Sequence, residues 1–190
     1  MNELILQIKK DLRASMNGVA SAAMRSSADY RVNFGVELPR LRTIADEYGS
    51  NHELAQALWK ESVRECRILA TMIQPADRFD EEYAELWMES IHTAEIAQIA
   101  ALNLFQYMGC ASGKAFQWLA SDEEIRQVTG MSIICHLVRR FTLSERAANE
   151  LSDQLNALLS ADDSSMTVRR LASNIINTLD NGDSIDDESK

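Results

Sequence analysis

Apolar residues recur at three- and four-residue intervals along most of the chain, the spacing of helices with one buried stripe. Ile5, Ile8, Leu12 and Met16 share one face of a helix predicted over 2–16, which Asn17-Gly18 stops. A small-residue helix follows over 19–27, then a connector over 30–38 centred on Gly35. Pro39 opens a helix that runs through Ile44 to Tyr48, at a first-turn position where its missing N–H costs nothing. Gly49-Ser50-Asn51 breaks the pattern before a helix over 52–59. The next helix starts at Ser62-Val63-Arg64-Glu65, which reads as a capping box. It buries Cys66, Leu69, Ala70 and Ile73 and ends at Pro75. Further helices are predicted over 81–89, 93–107, 113–119, 122–139, 143–159 and 165–179. Ser121-Asp122-Glu123-Glu124 and Thr142-Leu143-Ser144-Glu145 repeat the start signal.

Three of these helices open alike, with a β-branched residue followed by Arg: Val63-Arg64, Ile125-Arg126 and Val168-Arg169. Ile96-Ala97 is a weaker relative. The steps from Arg64 to Ala97, Arg126 and Arg169 are 33, 29 and 43 residues. Such steps suit divergent HEAT- or armadillo-type repeats of antiparallel helix pairs. The expected fold is therefore an all-α superhelix of stacked pairs, with an irregular helical bundle as the plainer alternative. One domain over 1–180 is expected. Residues 181–190 form an acidic end without aromatics, expected to be disordered.

Composition supports helix, with only 2 Pro and 7 Gly in 190 residues. Charge alters the functional picture. The net charge is −10, where a nucleic-acid-binding module is usually basic. From Asp180 onward five acids face one lysine, so the body still carries about −6. DNA binding would then need a local basic face. Three cysteines without CxxC spacing fit a reduced, cytoplasmic chain. The amphipathic N-terminus lacks the apolar run of a signal peptide, and no segment is apolar for long enough to span a membrane.

The chain has no glycine-rich phosphate loop, HExxH or nucleophile elbow. His92 and Glu95 share a helix face but have no third ligand, so neither a metal nor another cofactor is expected. His136 reads as a packed side chain and His52 as a helix start. Trp59, Trp87 and Trp118 each end the first helix of a pair, where packing between repeats is the simpler role and stacking on a base the sharper one. Arginine makes up 14 of the 19 basic residues, and its planar fork suits phosphate. Arg40, Arg42, Arg64, Arg67, Arg126, Arg139, Arg140, Arg169 and Arg170 are the candidate DNA contacts. The same residues also suit salt bridges to an adjacent repeat.

Tyr30, Asn33-Phe34-Gly35-Val36, Pro39, Arg42, Leu58-Trp59, Glu65 and Trp118-Leu119-Ala120-Ser121-Asp122 resemble, in order and spacing, the DNA alkylation repair family. These are HEAT-like alkylpurine DNA glycosylases of the AlkD type. The resemblance runs from Tyr30 to Ile134, with weaker support to Leu179. It implies a right-handed stack of helix pairs that cradles duplex DNA on its concave face. It also implies an aromatic, an aspartate and an arginine that favour departure of a cationic N3- or N7-alkylpurine. A carboxylate there would stabilise the oxocarbenium charge, and an aromatic face the cationic base. This chain departs from that pattern. The aromatic falls at Ala94, the aspartate at Gln98, a second aromatic near Ile125 and the arginine near Val128. Glu95 with Trp87 or Trp118 is the weak substitute for a catalytic set, and Arg126 lies two positions away, on another helix face. Three readings follow: a DNA-binding scaffold with weak or no glycosylase activity, an active N3/N7-alkylpurine glycosylase, and a protein-interaction scaffold that does not bind DNA.

Overall fold

A computed structural model of the chain describes residues 1–27, 30 and 32–186. Helices carry the architecture, and the only strand-like pairing among the described residues is an isolated bridge between Val32 and Val63. The chain divides into two compact units, Met1–Gly109 and Cys110–Lys190.

The first unit holds α1 (Asn2–Ala14), α2 (Gly18–Ser27), α3 (Leu38–Tyr48), α4 (His52–Trp59), α5 (Arg64–Ile73), α6 (Glu81–Met88) and α7 (Ala94–Asn103). Single 3-10 turns stand at Ala76–Arg78 and Phe105–Tyr107. The second holds α8 (Ala111–Leu119), α9 (Glu124–Val138), α10 (Glu145–Ser160) and α11 (Met166–Asp186). Every helix expected from the apolar pattern is present, with ends moved by a few residues. The helix expected over 93–107 is cut at Leu104, whose backbone leaves helical geometry before the 3-10 turn. The boundary expected at 180 falls inside α11, and residues 187–190 lie outside the described residues.

Packing within each unit follows the repeat logic. In the first, α5 packs on α3 and α4 and lies beside α7. In the second, α9 packs on α8 and beside α11, and α10 covers α11. The helices that begin with the repeated opening are thus the second helices of successive pairs. Their β-branched residues Val63, Ile96 and Val168 are buried. Trp59 of α4 and Trp87 of α6 stack with ring centroids 4.0 Å apart and planes 4° from parallel, joining two successive repeats. Trp87 also donates from its indole N–H to Gln56 at 3.1 Å.

The capping boxes fare less well. Val63, not Ser62, is the N-cap of α5, and no side chain caps it. Glu65 turns away to an acceptor-starved loop instead. At α10 the cap is Ser144, whose hydroxyl accepts from the Ala147 amide at 3.3 Å.

Candidate functional site

The connector between α2 and α3 sets up the site in the first unit. Gly35 has φ +68°, and a Cβ there would meet Asn17 O at 2.4 Å and Ser21 N at 2.5 Å. Only glycine fits both the backbone and the space. The turn leaves the Phe34 and Val36 amides pointing at α5, where the Glu65 carboxylate accepts them at 3.0 and 3.3 Å. Glu65 is 0% exposed, so these amides and the Arg64 guanidinium replace its water. Arg64, only 3% exposed, donates from Nη1 to Glu65 at 3.2 Å and to Val36 O at 3.3 Å. The Arg64 amide donates to Val32 O at 3.1 Å, which fixes the connector to the start of α5.

The other edge of the Arg64 fork crosses to α7. Nε donates to Glu95 Oε2 at 2.9 Å, and Nη2 to Glu95 Oε1. The Tyr30 hydroxyl donates to the same carboxylate and lies 3.0 Å from the Thr93 hydroxyl. Burial alone would raise the Glu95 carboxyl, but hydrogen bonds from Arg64 and Tyr30, with the Arg64 charge, hold it below its ordinary value. Burial and the bond to Glu95 push the Tyr30 phenol up, so it stays protonated. Burial opposes the Arg64 charge, yet Glu95 and Glu65 keep that guanidinium protonated.

Beside this network lies a cavity of about 350 Å³, bounded by Tyr30, Ser62, Arg64 and Arg67 on one side and by His92, Thr93 and Ile96 on the other. Arg67 is half-buried, with its guanidinium 5.6 Å from the centre of the Trp59 ring. Two other cavities collect candidate arginines. Arg42 lines one of about 480 Å³ with Asp46, Asn103 and Tyr107. Arg169 and Arg170 line one of about 450 Å³ with Met166.

The structure thus sorts the candidates by what they touch. Arg64 is bonded to Glu65 and Glu95, with all three guanidinium nitrogens donating to them. Arg169 donates to Leu159 O at 3.1 Å, Ser164 O at 3.1 Å and Ala161 O, closing the end of α10. Arg126 is half-buried, 3.4 Å from Glu123. Arg40, Arg42, Arg139, Arg140 and Arg170 are exposed. Arg40 donates to the Ser15 hydroxyl at 3.1 Å, and Arg140 lies over the exposed Phe141 ring at 5.2 Å. Trp87 and Trp118 are 0% and 1% exposed, so neither has a free face on which a base can stack. Of the carried-over catalytic positions, Val128 is fully buried, while Ala94 and Gln98 are half-buried and uncharged. Glu95 remains accessible, but both its oxygens are engaged.

Sequence reasoning missed the Tyr30–Glu95–Arg64 network. Tyr30, Arg64 and Glu95 each stand out in the sequence, but nothing local joins Glu95 to partners 65 and 31 positions away. The roles of Ser62 and His92 at the cavity wall had no sequence signal.

Among the described residues no group of three His, Cys, Asp or Glu side chains is placed to hold a metal ion. No described helix is long and apolar enough to cross a membrane.

Comparison with known proteins agrees with this architecture. One solved structure is described as from a new family of proteins related to the HEAT-like repeat DNA glycosylases, with affinity for branched DNA structures. It superposes with a TM-score of 0.82 at 19% identity, over 91% of this chain and 74% of its own, a likeness that shows the HEAT-like repeat fold. No curated protein matches the chain. The model of the family described as DNA alkylation repair enzyme matches residues 8–172. With that match spanning most of the sequence, the chain belongs to the DNA alkylation repair family.

Proposed function

We propose that this chain is a DNA-binding scaffold of the DNA alkylation repair family with weak or no glycosylase activity, and that branched DNA is a preferred form of its ligand. The observation that carries this reading is the state of Glu95, the carboxylate nearest in sequence to the expected catalytic position at Gln98. Gln98 is a neutral amide, and Glu95 has both oxygens taken by Arg64, with Tyr30 on one of them. An oxocarbenium ion needs an anionic field turned toward it. A carboxylate paired with an internal guanidinium supplies little of that field to a substrate. The affinity of the structural neighbour for branched DNA supports the choice of ligand.

The test is binding to a duplex and a four-way junction of matched sequence at two salt concentrations. Tighter binding to the junction at low salt, weakening steeply as salt rises, is expected. Absence of binding at low salt removes the DNA reading, because phosphate contacts are strongest there. A base-release assay on 7-methylguanine DNA should show little or no release. Release that disappears in Glu95→Gln would establish the active glycosylase instead. Arg139 and Arg140 are exposed and adjacent, so replacing both with alanine should lower the salt slope by about two, near one per lost phosphate contact. The net charge of −10 favours the alternative of a protein-interaction scaffold, for which a pull-down would recover a protein partner and no DNA.

A further inference from the structure

The two arginines in the 350 Å³ cavity are compensated very differently. Arg64 has two carboxylates on its guanidinium. Arg67, three residues on along α5, has none among the described residues. Its Nε donates to Glu61 O at 3.2 Å and its Nη1 to Ser90 O at 2.6 Å, both neutral carbonyls. Those two carbonyls and the Trp59 face orient the guanidinium without neutralising it. Of the acidic side chains nearest in sequence, Glu65 accepts from the Phe34 and Val36 amides and from Arg64, and Glu61 is turned to Lys9 at 2.7 Å. Burial pulls the Arg67 pKa down and no carboxylate offsets it, as expected for a half-buried cation short of a counter-ion. Its Nη2 donates to no described residue.

Ser62 and His92 add two further polar side chains to the wall. The exposed side chains of Ser62 and His92 make no hydrogen bond among the described residues. They stand just before the first turns of α5 and α7, so the positive ends of two helix dipoles add to the field. Glu95 opposes an anion, but its oxygens are turned to Arg64 and Tyr30, which screen it.

We propose that this cavity seats a single phosphate group, held by Arg67 with Ser62 and His92. The source of the phosphate, a strand of bound DNA, rests on the DNA-binding reading above. Phosphate held by an oriented arginine and neighbouring hydroxyl and imidazole donors fixes register rather than sequence. It would place a strand against the start of α7, beside the position where active relatives are expected to carry their aromatic and aspartate.

Two measurements test it. Inorganic phosphate alone is titrated into isotopically labelled protein, and the Arg67 Nε–Hε and His92 ring signals are followed by NMR. Saturable shifts at both are expected, lost in Arg67→Gln and partly kept in Arg67→Lys. No shift at either group up to tens of millimolar phosphate overturns the proposal. Junction DNA binding is then compared across salt. Arg67→Gln should weaken affinity about tenfold at low salt and reduce the salt slope by about one, while Arg67→Lys keeps the slope. His92→Ala gives the same reading without touching the Arg67 carbonyl contacts, should Arg67→Gln fail to fold. Shifts with free phosphate but an unchanged DNA slope keep the phosphate site and assign it to a free phosphate. If the wild type binds no DNA at all, the DNA reading falls and the phosphate titration alone decides the site.

Discussion

Replacing Arg64 with methionine is expected to destabilise the protein by about 3–5 kcal/mol, the usual cost of removing one partner from a buried ion pair. Methionine fills much of the volume but donates nothing. Glu65 would keep its two loop amides yet lose the one cation bonded to it among the described residues, and Val36 O would lose a side-chain donor. For a chain of this length the melting temperature should fall by roughly 10 °C, with the midpoint in denaturant falling in step. Glu95→Gln is the informative partner variant. The Glu95 side chain is 36% exposed, so water replaces much of what it loses and the cost should stay within about 1 kcal/mol. Acid separates the two cases further. The folded-state pKa of Glu95 is depressed, so its contribution is complete above the ordinary value of 4.5 and is lost as pH falls through the lower one. The gap between wild type and Glu95→Gln should therefore close on acidification below 4.5. An Arg64→Met protein that loses less than about 1 kcal/mol would mean that this network adds little to stability.

The contrast between Arg64 and Arg169 shows where sequence reading stops. Both follow a buried β-branched residue at the start of a second helix, and that shared opening did mark the repeat. The valine half of the motif is legible because its burial follows from helical periodicity alone. The arginine half is not, because a long side chain takes whichever acceptor the neighbouring turn offers. For Arg64 that is a glutamate on the next second helix; for Arg169 it is the carbonyls that end α10. Glu65 failed as a capping residue for a related reason. Two loop amides made available by the positive φ of Gly35 compete for its carboxylate with the amide of its own helix start. Trp59 and Trp87 are easier to read, since their position at the ends of first helices leaves their rings to stack one repeat on the next. The candidate site was legible only in parts, because its members come from a connector and two helix starts that only the tertiary fold brings together.

Gly130 provides a case where local preference and tertiary packing predict opposite signs. It lies in the interior of α9, where alanine in an isolated helix is favoured by about 1 kcal/mol. A Cβ at this position would stand 2.5 Å from Ala115 O, 2.7 Å from Leu119 N and 3.2 Å from Trp118 C, all backbone atoms of α8. Backbone cannot swing aside as a flexible side chain would, so α8 and α9 must separate. Trp118 of α8 and Val128 of α9 are both buried. Overpacking of this kind costs about 1–3 kcal/mol, and the rigidity of the obstructing atoms places Gly130→Ala near the upper end. Gly113 in α8 is the control, since nothing lies within 4 Å of where its Cβ would be. Gly113→Ala should be neutral or stabilising by up to about 1 kcal/mol. Denaturation of the two variants side by side should therefore give opposite signs for the same chemical change. A Gly130→Ala protein as stable as Gly113→Ala would show that the two helices do not approach this closely. Because Arg139 and Arg140 follow directly on α9, a shift of that helix away from α8 should also weaken any DNA contact they make, with no charge removed.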